Sequence, residues 1–188
     1  MNVRRTFFVL AALLAAAPSA AQTPVSVGRF DSVELRGGGR VTIRHGDTQR
    51  VTLLRGDTEM SRISVDADGT LEIRACVRSC SNYRLEVEIV TPQLEAIAIS
   101  GGGSIRSEGG FAERRHLALA ISGGAELDAT AVPAANVAAS VHGGGAILTR
   151  ARTTLAASIY GGGAIRYRGD PAVTASVNGG GTVRAIGD

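Results

Sequence analysis

The residues of this chain whose types could do chemistry are three histidines, two cysteines, a few serines and a thin scatter of carboxylates. His45, His116 and His142 lie far apart and none belongs to a metal-spaced pair, so no metal or cofactor is read from them. Cys76 and Cys80 enclose only Val77-Arg78-Ser79, with no histidine nearby. In an oxidising compartment that spacing predicts a disulfide, and so short a loop makes it a local staple with little entropic effect. Glycan cleavage would need two or three carboxylates, or a base with a metal, on adjacent strands. Ahead of the terminal Asp188, the acids of the C-terminal half are Glu95, Glu108, Glu113, Glu126, Asp128 and Asp170. Glu126 is read as sitting beside a corner and Asp128 as facing outward on the opposite side, with no second acid aligned at either column. The residues aligned with Asp128 are Arg106 and Leu148, which predicts an Arg106–Asp128 ion pair and not an active site. Ser100 and Ser122 precede glycines between strands, so neither has the strand–turn–helix setting of a nucleophile elbow. Arg55-Gly56-Asp57 and Arg168-Gly169-Asp170 match a three-residue adhesion motif, but Gly-Asp is also what tight turns select.

The elements that must position these residues are strands. Five segments align without gaps: Ile99-Ser100-Gly101-Gly102-Gly103-Ser104-Ile105, Ile121-Ser122-Gly123-Gly124-Ala125-Glu126-Leu127, Val141-His142-Gly143-Gly144-Gly145-Ala146-Ile147, Ile159-Tyr160-Gly161-Gly162-Gly163-Ala164-Ile165 and Val177-Asn178-Gly179-Gly180-Gly181-Thr182-Val183. Their starts are 22, 20, 18 and 18 residues apart, and a sixth, isolated copy runs Leu35-Arg36-Gly37-Gly38-Gly39-Arg40-Val41. Apolar residues alternate with small or polar ones on both sides of the glycines, as in Leu117, Leu119 and Ile121 before the turn. That period of two marks half-buried strands. One such unit cannot bury its own apolar face, whereas units stacked in register merge their Ile/Val/Leu columns into one core. The expectation is therefore an all-β, two-sheeted parallel β-helix, or solenoid, with Gly-Gly-Gly corner turns. Antiparallel hairpins in a sandwich or barrel are the competing reading. The glycines do not form a phosphate loop, because no lysine or helix follows them.

Residues 22–92 are β-like but irregular, and residues 93–188 are regular; together they are read as one domain. Residues 1–21 combine Arg4-Arg5, an apolar run from Phe7 to Ala17 and a small-x-small pair, Ser19 and Ala21. This predicts a secretory signal peptide and an exported protein, periplasmic or at the cell exterior. No segment is long and apolar enough to predict a transmembrane helix. The formal charge is +3, the basic residues are scattered, and no nucleic-acid partner is expected. All 20 basic residues are arginine. Arginine favours bidentate recognition of phosphate and carboxylate, but no cluster of them is evident in the sequence, and a codon preference accounts for the choice.

The Phe30-Asp31-Ser32-Val33 opening, the Thr91-Pro92-Gln93-Leu94-Glu95-Ala96-Ile97 strand and the serial Ile-Ser-Gly-Gly-Gly turns resemble the putative auto-transporter adhesin head, or GIN-domain, family of bacteria. The likeness runs from about Val27 to the C-terminus, and it implies a β-helix of pectin-lyase-like shape and an adhesive role without established activity. The functional expectation is a non-catalytic protein for binding, adhesion or envelope structure, with a glycan or a cell-surface or envelope protein as partner. A carbohydrate-active lyase or hydrolase is the alternative. The residues assigned to binding are the corner stripe Ser100, Ser122, His142, Tyr160 and Asn178, against the plainer reading of a solvated corner that tolerates any polar side chain. An open edge near Val183-Arg184-Ala185-Ile186 raises a third reading, self-assembly into a homo-oligomer.

Overall fold

The computed structural model describes residues 22–187 apart from residues 79, 81 and 82. The expected signal peptide, residues 1–21, lies outside the described residues. The N-terminal part supplies β1 (Thr23–Val25), β2 (Ser32–Gly37), β3 (Arg40–His45), β4 (Arg50–Arg55), β5 (Arg62–Val65), β6 (Thr70–Arg74) and β7 (Glu86–Thr91). Next come β8 (Ala96–Gly101), β9 (Ser104–Glu108), β10 (Arg114–Gly123), β11 (Glu126–Asp128) and β12 (Ala134–Gly143). The last strands are β13 (Ala146–Tyr160), β14 (Ala164–Arg168), β15 (Ala172–Asn178) and β16 (Thr182–Ala185).

These strands corrected the expected architecture. They form one continuous sixteen-stranded sheet whose main path takes thirteen strands in the order β1-β4-β7-β3-β9-β11-β13-β12-β10-β8-β2-β6-β5. Pairing is mixed: β1 with β4, β4 with β7 and β5 with β6 are antiparallel, and the other pairs are parallel. The sheet curls round one core into a nearly closed, barrel-like shell, so a two-sheeted parallel β-helix of pectin-lyase-like shape is not what forms. The two ends of the path face each other, since Val25 of β1 and Ile63 of β5 line one cavity of about 270 Å³.

Two local features explain the difference. The second bend of the aligned segments is not a regular glycine corner: it carries Gly109-Gly110 and Gly169-Asp170-Pro171 in two copies and no glycine in others. Arg150-Ala151-Arg152-Thr153-Thr154 contains neither glycine nor proline, so β13 runs on as one 15-residue strand. It pairs with β11 and β14 through its first part and with β12 and β15 through its second, which joins the two limbs of the sheet. In the N-terminal part, Asp66-Ala67-Asp68-Gly69 closes a hairpin. The Asp66 carboxylate accepts hydrogen bonds from the backbone N–H groups of Asp68 at 3.0 Å and Thr70 at 2.9 Å, the local bonding that makes aspartate a turn residue.

The apolar columns are paired residues of this sheet. On one limb Ile99, Ile121, Val141, Ile159 and Val177 are successive partners, and on the other Ile105, Leu127, Ile147, Ile165 and Val183. All but the last of each column are buried, within one cluster that reaches from Phe30 to Ile165. Burial of each such side chain is worth about 1.5–3 kcal/mol. At the β15 end the columns run out, and Val173 and Val177 are 39% and 43% exposed.

The corners let neighbouring strands approach closely. Gly123 has φ +128°, and a Cβ there would fall 2.2 Å from the Gly101 carbonyl oxygen on the adjacent strand. A side chain is excluded by both conformation and space. Ala125 occupies the third corner position, where the equivalent Gly145, Gly163 and Gly181 do not have positive φ, whereas Gly39 and Gly103 do.

Candidate functional site

The glycine corners bring the preceding residues into one ladder. Ser100 pairs with Ser122, Ser122 with His142, His142 with Tyr160 and Tyr160 with Asn178. Adjacent members are therefore one strand spacing apart, about 4.8 Å. Each is the last outward-facing residue before its glycine, so the ladder runs along one edge of the shell. The His142 and Tyr160 rings are stacked, with centroids 5.3 Å apart and planes 8° from parallel, and Tyr160 is 53% exposed. Ser122 and Asn178 flank this pair and are exposed. Ser100 is engaged otherwise, donating to Glu34 at 3.2 Å. The ladder continues beyond the five residues read from the sequence, because Arg36 pairs with Ser100 and Arg74 with Arg36. The isolated sixth corner is thus adjacent in space to the first regular one.

The charged end of the ladder is closed on itself. Glu34 and Glu72 are neighbours on β2 and β6, as are Arg36 and Arg74. Arg36 Nε lies 2.9 Å from Glu34 and 3.0 Å from Glu72, and Arg74 donates to both Glu72 oxygens at 2.9 Å. The Arg74 hydrogen bond holds the Glu72 carboxyl below its usual range; burial opposes this and Arg36 adds to it. The hydrogen bond to Glu34 raises the Arg36 guanidinium in turn. A second carboxylate pair, Glu88 and Glu108, is bridged by Arg44 at 3.4 and 3.2 Å. A glycosidase acid needs its pKa raised, and Glu72 is shifted the other way.

The remaining candidates are dispersed. Arg106 and Asp128 are cross-strand partners 3.9 Å apart. Glu126 and Asp128 share the outer face on either side of buried Leu127, and do not face opposite ways, because residues two apart on a strand point to one side. His45 packs edge-on against Phe111, and His116 pairs with Asn136. Among the described residues no group of three or more His, Cys, Asp or Glu could hold a metal ion. The Cys76 and Cys80 sulfurs are 2.00 Å apart, just beyond the Arg74 end of the ladder. One grouping escaped the sequence reading: Arg150 pairs with Arg168, and Arg166 with Arg184. Its signal was present, since both pairs are 18 residues apart, the spacing of the last aligned segments.

A family model described as putative auto-transporter adhesin, head GIN domain, matches residues 29–118 and 112–171. The chain belongs to that family. A crystal structure of a putative adhesin from Bacteroides fragilis is similar to this GIN domain, with a TM-score of 0.57 at 19% identity. The match covers 88% of this chain and 96% of that one, and it shows a shared fold. A putative cell adhesion protein from Clostridium sporogenes gives a TM-score of 0.48 at 14% identity, over 89% of this chain and 98% of that one. No curated protein matches the sequence. No helix among the described residues is long and apolar enough to cross a membrane.

Proposed function

We propose that this protein is an exported, non-catalytic binding module that acts in adhesion at the cell envelope and takes glycans along its corner ladder. The observation that carries the reading is the stacked His142–Tyr160 pair set between Ser122 and Asn178. A sugar ring has an apolar C–H face and a rim of hydroxyls. An exposed aromatic ring offers a surface to the first, and hydroxyl, amide and imidazole groups one strand away can donate to and accept from the second. Export is supported by the basic, apolar and small-residue order of residues 1–21, and the adhesive role by the family the chain belongs to. The non-catalytic reading is supported by the two carboxylate pairs, each of which is tied up by arginine.

The test is a glycan array probed with the purified protein and with Tyr160→Ala. The ladder reading expects retention on a subset of glycans and its loss in the variant. Equal retention of uncharged glycans by both proteins removes the ladder from the function, and shortening of a bound glycan replaces the binding module with an enzyme.

A further inference from the structure

Among the described residues, the outer face of β13, β14 and β16 carries four arginines with no acidic residue paired to them. Arg150 faces Arg168 across β13 and β14, and Arg166 faces Arg184 across β14 and β16. Arg166 and Arg168 are two apart on β14, so all four share one side of the sheet. Among the described residues none of them lies within ion-pair distance of a carboxylate, whereas Arg36, Arg44, Arg55, Arg74, Arg106, Arg114 and Arg152 do; other arginines, Arg40 and Arg62 among them, are also without an ion pair, and what sets these four apart is that they face one another on one side of the sheet. The like-charged neighbours Arg36 and Arg74, by contrast, are neutralised by Glu34 and Glu72 on the same two strands. Like charges directly opposite each other on a sheet are destabilising. The Nε groups of Arg150, Arg166 and Arg168 are also screened from solvent without a hydrogen-bond acceptor, which leaves a donor unsatisfied on each. A sheet that carries these costs where an equivalent site neutralises them is arranged to receive an anion.

We propose that Arg150, Arg166, Arg168 and Arg184 form a second site, which binds an anionic polysaccharide through its carboxylate or phosphate groups. Guanidinium forks bind both groups in bidentate fashion. The two arginine pairs, staggered by two residues along the strand, present sites for two successive anionic groups of a polymer. Ala146, Ala164 and Thr182, partners across the same three strands, make a low floor beside the arginines. Leu148 and Arg166 also line a trough of about 580 Å³ that crosses the strands towards Arg106 and Glu126. Glu126 and the Arg106–Asp128 pair limit the anionic footprint to the β13–β16 end. A nucleic acid is less suited, since no aromatic residue on this face offers a base-stacking surface. A lipid surface is less suited too, because the exposed large apolar residues (Val77, Tyr160, Val173 and Val177) are not on it.

This inference deepens the binding-module reading at a different surface, and the two fail separately. The experiment measures binding of the purified protein to alginate, a polyuronate, and to a phosphate-bearing glycan such as teichoic acid. Dextran serves as neutral control, with duplex DNA and phosphatidylglycerol vesicles as competing anions. The expected result is salt-sensitive binding to one or both anionic glycans and none to dextran. The arm that binds more tightly tells carboxylate from phosphate. Arg166→Ser/Arg168→Ser should weaken that binding at least about tenfold, the equivalent of one charge-assisted hydrogen bond. Arg106→Ser, on the same face but paired with Asp128, should change it less than about threefold. If the double variant does not fold, Arg184→Ser alone, near the exposed end, should still weaken binding measurably. Absence of binding to both anionic glycans, equal binding by the arginine variants, or tighter binding to DNA or vesicles would overturn the proposal.

Discussion

Two neighbouring glycines of one corner should respond in opposite ways to the same added methyl. In Gly123→Ala the new residue must keep φ near +128°, at a cost of about 1–3 kcal/mol for a non-glycine residue. Its Cβ would also lie 2.2 Å from the Gly101 oxygen, a backbone atom that accepts the Gly124 N–H at 3.1 Å. Relief of that overlap separates the strands and weakens the bond, which adds about 1 kcal/mol. The total is about 3 kcal/mol. In Gly124→Ala the Cβ meets nothing within 4 Å and φ is not positive, so the smaller entropy of the unfolded chain should stabilise the protein by about 0.4–1 kcal/mol. Urea unfolding monitored by circular dichroism separates the two. With a denaturant slope of about 2 kcal/mol/M, Gly123→Ala should lower the midpoint by roughly 1.5 M and Gly124→Ala should raise it slightly. Coincident midpoints would refute the claim that close strand approach fixes the first glycine.

Three further outcomes follow from the same geometry. Ile147→Ala, fully buried at the centre of its column, should cost about 2–5 kcal/mol, whereas Val177→Ala at the uncovered end should cost well under 1.5 kcal/mol, as read from urea midpoints. Glu72 has a folded-state pKa below its unfolded value of about 4.3, so its contribution is fully present above that value and is lost as pH falls through the folded pKa. Glu72→Gln should therefore be less stable than the parent at pH 7, and the difference should shrink below pH 4 in midpoints taken across that range. Cys76→Ser/Cys80→Ser should cost about 2 kcal/mol and lower the melting temperature by only about 4–8 °C without loss of the fold, because the loop they close is short.

The strands and the inward residues were legible in the sequence because the period of two and the glycine spacing survive without any tertiary information. Leu127 and Ile147 could be aligned by eye, and they are partners. The architecture was not legible, because it depends on what happens away from the glycines. The lack of glycine and proline in Arg150–Thr154 permits an unbroken strand but does not say that it passes from one limb to the other, and nothing in Thr52 or Val87 says that β4 runs against β7. The ladder could be read as a column, yet its aromatic stack required the side chains of His142 and Tyr160 to be placed. The arginine cluster was hidden for a different reason. Arg150 and Arg168 are scattered in sequence and meet only when the chain is stacked at the period it announces.

Uncharged glycan recovered from an affinity column of the purified protein, which the arginine face would not hold, tests the account most directly, by its amount and by its chain length. A binding module that works through the corner ladder predicts retention by the parent, its loss in Tyr160→Ala, and eluted glycan of unchanged length. Retention that survives Tyr160→Ala, or glycan that elutes shortened, would contradict it.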